Sequence, residues 1–279
     1  LKAQAVAART YTVRMMASRA GNLYDVVDTT SHQVYNGTPS GYATCVAAVD
    51  ATKGIVLKNS GAYTATYYSA SNGGQTESIR NIWGSTGYSY LSVKDDPFDY
   101  ANPDSVVKRT TVYASVNSSS NNASLVALLK TKAIAALIAS GYNATTSNTT
   151  LGTITAIVMH TPMYASPSKL YTKADFTMSA TTANSAGSQM STTVTVTCGV
   201  FSELESLLGM SIQSSQNELW SVVKNSSTFV LEARRYGHGL GLSQRGAMYM
   251  GKVGYTYDEI LGFYFEGSTR VGCTFTNTI

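Results

Sequence analysis

The period of the apolar residues changes several times along this chain, and that alternation sets the fold class. Residues 1–20 (LKAQAVAARTYTVRMMASRA) are rich in good helix formers. Leu1, Ala5, Ala8, Thr12 and Met15 share one face, with Val6, Val13 and Met16 beside it, and Gly21-Asn22 supplies a stop. Residues 45–53 read as a short helix ended by Gly54. Residues 124–139 carry a stripe of Leu125, Leu128, Leu129, Ala133, Ala136 and Leu137 closed by Gly141. Between and beyond these lie segments with alternating or β-branched residues. Short strands are expected at 24–27 and 33–35, a hairpin at 55–57 and 63–68 around Asn59-Ser60-Gly61, and strands at 153–159, 172–178, 192–198 and 228–234. Ser202 and Glu205 have capping-box spacing for a short helix ended by Gly209, and residues 243–253 and 257–265 read as two more helices. The expectation is α+β, with interleaved helices and mostly antiparallel strands.

Charge and cysteine content narrow the function classes. Twenty basic against 16 acidic side chains give a net charge of +4, with the basic residues scattered, too mild a balance for a nucleic-acid binder. No apolar run approaches the roughly 20 residues of a membrane helix. The middle third is dense in Ser, Thr and Asn, and there are 19 tyrosines, so the surface is wetted by hydroxyls and amides more than by charge. Cys45, Cys198 and Cys273 form no CxxC pair; they are either three buried thiols or one disulfide with a thiol left over. Leu1 is not a start methionine and no capping residue precedes it, so the start of the first helix is expected to lie upstream.

Three segments, colinear and spread over the whole chain, carry a resemblance. They are LKAQAVAARTY at 1–11 followed by DTTSHQVYNG at 28–37; YSASNGGQTES at 68–78 followed by Trp83 and Tyr90-Leu91; and YGHGLGLSQRGAMYMGKVGYTYDEILGFYFEG at 236–267. Together they resemble the SpoIID/LytB family of peptidoglycan-active proteins. The resemblance implies two lobes around a glycan-binding cleft, with residues 1–98 and 236–279 as the motif-bearing core and 99–235 as a variable second lobe. It implies no cofactor, peptidoglycan glycan strands or a cell-wall amidase as partners, and an extracytoplasmic setting in the wall or spore envelope of a bacterium.

The richest cluster of candidate binding residues is Tyr67, Tyr68, Ser69, Ser71, Asn72, Gly73, Gly74 and Thr76. Glycines permit close backbone approach, hydroxyls and an amide can pair with sugar hydroxyls, and tyrosine faces suit pyranose rings. Arg9 and Tyr11 close the first helix motif and are expected to contact a saccharide or peptide stem, with Gln33 joining them from the QVY segment. His238 lies between two glycines just before Ser243 and Gln244, an order that can aim all three into one cleft. Nothing around Ser243 resembles a nucleophile elbow, and the resemblance implies a glycan-binding or site-shaping role for His238. Thr30-Ser31-His32-Gln33, with Cys45 distant, does not make a four-ligand metal site, and no metal is expected.

The resemblance further implies a lytic transglycosylase. A carboxylic acid protonates the glycosidic oxygen, and the 6-hydroxyl of the muramic acid closes on its own C1 to leave a 1,6-anhydro end, so no second carboxylate is needed for a water. The family's glutamate lies shortly before the LKAQAVAART helix, so the general acid is expected upstream of Leu1. Within the chain the substitute is Glu77. Asp95, Asp96 and Asp99 read as a solvated acidic loop, and Glu259 as a surface charge. The alternative reading is an amidase enhancer, which grips the wall without cutting it.

Overall fold

The computed structural model describes residues 1–37 and 40–274 and divides into two compact units, residues 1–105 with 236–279 and residues 106–235. Residues 38–39 and 275–279 of the expected core module lie outside the described residues. Helices and mainly antiparallel strands alternate in both units, an α+β architecture.

The first unit begins with α1 (Lys2–Ser18), which buries Ala3, Val6, Ala7, Thr10, Tyr11 and Val13. The strands expected at 24–27 and 33–35 are not formed. This stretch turns on itself, with the His32 N–H donating to the Thr29 carbonyl at 3.0 Å. Leu23, Tyr24, Val34 and Tyr35 remain exposed, so β-branched and aromatic residues here lack the half-buried surface that makes them strand formers.

After α2 (Ala43–Asp50) come β1 (Ile55–Asn59) and β2 (Ala62–Tyr63). They form the expected hairpin, and its two-residue loop has Ser60 at φ 49° and Gly61 at φ 85°, the positive pair a type I′ turn requires. The second strand ends at Tyr63 rather than Tyr68. Thr66 Oγ1 donates to the Ala7 carbonyl at 2.8 Å and the Ala65 N–H donates to Tyr90 Oη at 2.9 Å, which draws the chain off the sheet. It re-enters pairing at β3 (Tyr68–Ser69), followed by α3 (Ile79–Trp83) and α4 (Pro97–Ala101). Residues 99–105, expected with the second lobe, pack with the first unit.

The second unit runs β4 (Val107–Tyr113), α5 (Ala123–Ala139), β5 (Thr150–Pro162), β6 (Tyr171–Ala183), β7 (Gln189–Gly199), α6 (Glu205–Leu207), β8 (Leu219–Lys224) and β9 (Thr228–Arg234). Its sheets are β4-β9-β8 and the meander β5-β6-β7, all antiparallel. Helix α5 is capped by Asn122 and buries Leu125, Leu129, Ala133 and Leu137 in a core with Phe176, Trp220 and Phe229. Cys198 is a buried free thiol in the same core, pushed up to about 11 by burial; Cys45 and Cys273 are also unpaired. The Ser202–Glu205 capping box does not form. A π-type turn occupies Val200–Leu204, and it is Glu203 that accepts the Gly199 N–H, at 2.6 Å. Strand β4 escapes sequence reading because only Val112 of its seven residues is buried, which leaves no alternation to detect.

The chain returns to the first unit with β10 (Leu242–Ser243), which pairs parallel with β3, then α7 (Gln244–Lys252), α8 (Tyr257–Tyr264) and β11 (Thr269–Gly272), which pairs antiparallel with β1. The capping box of this region belongs to Thr256 and Glu259, so Glu259 is a cap rather than an idle surface charge. Leu240, Leu242, Met250, Ile260, Leu261 and Phe265 join Val6, Leu57 and Leu91 in one core. Among the described residues no helix is long and apolar enough to cross a membrane.

One buried acidic pair makes the second unit sensitive to pH. Glu218 is buried and accepts N–H groups from Ile212 and Asn217, while Glu205, also buried, hydrogen-bonds to it. Burial first, and the Glu218 charge second, push the Glu205 carboxyl up to about 7. An acid raised in the folded state gives stability that is complete below its ordinary value and is lost as pH rises through about 7. The melting temperature is therefore expected to rise on acidification from neutral pH, and Glu205→Gln to remove a distinct part of that dependence. An unchanged pH profile in Glu205→Gln would contradict the shared-proton arrangement.

Candidate functional site

One concavity of the first unit is a cleft of about 360 Å³, lined by Tyr11, Met15, Arg19, Thr30, Ser31, His32, Gln33, Tyr67, Tyr68, Trp83 and His238. Helix α1 contributes Tyr11 and Met15, one turn apart on one face, and its C-cap residue Arg19 follows at the same interval of four. The irregular stretch after it supplies Thr30 to Gln33. Gln33 is fixed at both ends: Nε2 donates to Thr12 Oγ1 at 2.8 Å and to the Ala8 carbonyl at 3.2 Å, and Oε1 accepts from Tyr68 Oη at 2.7 Å. That brace ties α1, the QVY segment and β3 together at the cleft wall.

Aromatic rings form the floor. Tyr67 meets Tyr11, Trp83 and His238 edge-on, at centroid distances of 6.0, 4.7 and 6.4 Å, and Trp83 meets His238 at 5.4 Å. His238 Nδ1 accepts the Leu240 N–H at 2.9 Å, and His32 Nδ1 accepts the Val27 N–H at 3.2 Å. With Nδ1 accepting, the neutral form of each ring carries its proton on Nε2. Burial pushes the Tyr11 and Tyr68 phenols up, which keeps them as hydroxyl donors. Among the described residues no Asp or Glu lines the cleft. The wall is thus a set of rings and neutral donors with one guanidinium, suited to binding a hydroxylated or anionic molecule.

The segments expected to bind are divided by the structure. Tyr11, Gln33, Tyr67, Tyr68 and His238 line the cleft; Ser69, Ser71, Asn72, Gly73, Gly74, Thr76, Glu77, Ser243, Gln244 and Arg9 do not. Arg9 caps the end of α2, donating to the carbonyls of Val49, Thr52 and Ile55. Thr76 Oγ1 donates to the Ser92 carbonyl at 2.9 Å. Glu77 is fully buried, and its Oε1 accepts from the Ser78 N–H and from Asn81 Nδ2 at 2.7 Å, so it orders the start of α3. Gln244 is exposed at the first turn of α7. Ser69 is buried, lying under Gly237, where a Cβ would come within 2.6 Å of Ser69 Cβ.

What holds this layer is a pair of aspartates, in a loop expected to be solvated. Asp96 and Asp99 are both fully buried. Asp99 accepts from Ser71 Oγ at 2.9 Å, the Asn72 N–H at 2.7 Å, Ser105 Oγ at 2.8 Å and Ser243 Oγ. Asp96 accepts from Asn72 Nδ2 at 2.7 Å and Tyr264 Oη at 2.6 Å, and caps α4 through the Phe98 and Asp99 N–H groups. Burial pushes the Asp96 carboxyl up, against its hydrogen bonds, and pushes the Tyr264 phenol up strongly. Ser243 also caps α7 by accepting the Gly246 N–H at 3.1 Å. Gly246 is required at that point, because a Cβ would lie 2.0 Å from Tyr264 Oη and 2.7 Å from Asp96 Oδ2. Sequence reading missed Met15, Arg19, Thr30, Ser31, His32 and Trp83 as cleft residues. The spacing of Tyr11, Met15 and Arg19 was the signal available for the first two.

The family described as SpoIID, stage II sporulation protein, matches residues 1–58. The amidase enhancer of Bacillus subtilis is 31% identical to this chain over 96% of its length. The stage II sporulation protein D of Bacillus subtilis is 27% identical, and that of Bacillus amyloliquefaciens 25% identical, each over 96% of this chain. The chain spans 37% of the amidase enhancer and 67% of each of the two sporulation proteins.

Removing the Asp99 carboxylate leaves several buried donors unpaired, each costing about 1–3 kcal/mol. Asp99→Ala is expected to lower the unfolding free energy by about 3 kcal/mol or more in a denaturant titration. A loss below about 1 kcal/mol would show that the aspartate does not hold the loop.

Proposed function

The chain belongs to the SpoIID/LytB family, and on that footing we propose that it binds peptidoglycan glycan strands in the cleft lined by Tyr11, Gln33, Tyr67, Tyr68 and His238. The observation that carries this reading is the makeup of the wall: four aromatic side chains, fixed neutral donors and a guanidinium in one concavity. Rings pack on the apolar faces of sugars, and hydroxyl, amide and imidazole groups pair with their rims. Residues 1–105 with 236–279 serve as the glycan-handling module, and 106–235 as its variable companion. A wall substrate places the protein outside the cytoplasmic membrane, in the cell wall or spore envelope.

On the first reading the bound strand is cleaved by lytic transglycosylation. The general acid is a glutamate preceding Leu1, and the muramic acid 6-hydroxyl displaces the leaving sugar at C1 to give the 1,6-anhydro end. Glu77 then serves as a positioning residue, because its carboxylate is engaged with Ser78 and Asn81. On the second reading the cleft grips the strand and a separate amidase does the cutting. One observation favours this alternative: the amidase enhancer is 31% identical to the chain, against 27% and 25% for the two sporulation proteins.

Incubation of the longest native form of the chain with purified peptidoglycan, followed by mass spectrometry of the released ends, separates the two. Borohydride-resistant anhydromuramyl ends are expected from the transglycosylase, and substituting the preceding glutamate by glutamine should abolish them. Binding without release, with stimulation of an added amidase, would replace that reading with the enhancer. Failure to bind either intact or peptide-free wall would overturn both.

A further inference from the structure

We propose that Trp83 is the stacking platform of the cleft, the side chain on which the apolar face of a pyranose ring rests. The inference rests on the glycan-binding reading above and deepens it by giving one lining residue a specific part. Trp83 is the last residue of α3, whose start is set by Ser78 accepting the Asn81 N–H and whose end is closed by Gly84 at φ 69°. The indole is therefore delivered at a fixed point, where the helix stops. It is 48% exposed, whereas the other tryptophan, Trp220, is 2% exposed in the core of the second unit.

Its neighbours hold it without stacking on it. Tyr67 meets it at 4.7 Å and an interplanar angle of 74°, and His238 at 5.4 Å and 60°. Both contacts are edge-type, and among the described residues no ring lies parallel to the indole. A large flat apolar surface is thus anchored from the side and left open toward the cleft. An isolated exposed aromatic needs no explanation. This one is braced, sits in the concavity, and is bordered there by donors. His32 has its Nδ1 occupied by the Val27 N–H, so the neutral ring carries its proton on Nε2. Arg19 offers its guanidinium with no carboxylate among the lining residues. A pyranose has this complementary form: C–H groups on its face and hydroxyl, ring or carboxylate oxygens around its rim.

The two tryptophans make the test direct, because buried Trp220 serves as an internal reference. In Trp220→Phe, peptide-free glycan strands are expected to blue-shift the remaining emission and to protect it from acrylamide. Trp83→Ala should lose that response and bind the strands about tenfold or more weakly, with Trp83→Phe between. Unchanged Trp220 emission and circular dichroism in Trp83→Ala would establish that the variant is folded. If it is not, acrylamide protection in Trp220→Phe decides the matter by itself. Wild-type binding with an indole that stays fully open to acrylamide would overturn the platform and leave the glycan-binding reading standing. Absence of wild-type binding in a sedimentation assay with the same strands would overturn both.

Discussion

Two buried carboxylates organise the working face of the first unit. Asp99 gathers the Ser71 hydroxyl, the Asn72 amide and the Ser243 hydroxyl, groups that lie more than 140 residues apart at the extremes. Asp96 adds Asn72 and Tyr264. A buried charge is tolerable only when its oxygens are saturated with donors, and here each carboxylate is supplied from several segments at once. The consequence is geometric. The loop Ser69–Gly74, the start of α7 and the end of α8 are locked to one another, and strands β3 and β10 pair in register beside them. That register brings the GHGLG segment against Tyr67 and Ser69, so His238 and Tyr67 meet at the cleft.

This explains why the polar, glycine-bearing motifs are largely scaffold. Ser71, Asn72, Ser243 and Gly246 are chemically suited to holding a sugar, yet each is committed to an aspartate, a cap or a close approach. The residues left to face a ligand are those one layer out: aromatic rings, two histidines tied by their Nδ1 atoms, a doubly fixed glutamine and Arg19.

The elements set by local rules were legible in the sequence. Helix α5 follows from its leucine stripe and the closing Gly141, and the β1–β2 hairpin from Ser60-Gly61. What failed depended on distant partners. Strands were expected at 24–27 and 33–35, where no partner strand arrives, and β4 went unseen because most of its face is exposed. The site divided in the same way. Tyr11, Gln33, Tyr67, Tyr68 and His238 were identified as binding residues and line the cleft. Asp96 and Asp99 looked like solvated loop charges, because nothing local announces that Asn72, Ser243 and Tyr264 will converge on them. Arg9 looked like a ligand contact because its carbonyl partners lie about 40 residues downstream.

The central claim is that the motif loop supports the cleft and the aromatic layer contacts the glycan. A crystal structure of the protein with a peptide-free glycan fragment tests it most directly. Sugar density is expected against Tyr67, Tyr68, Gln33 and His238, with Ser71, Asn72 and Glu77 still buried and bonded as they are in the free protein. Sugar seated on the Ser71–Glu77 loop, or density confined to residues 106–235, would contradict it.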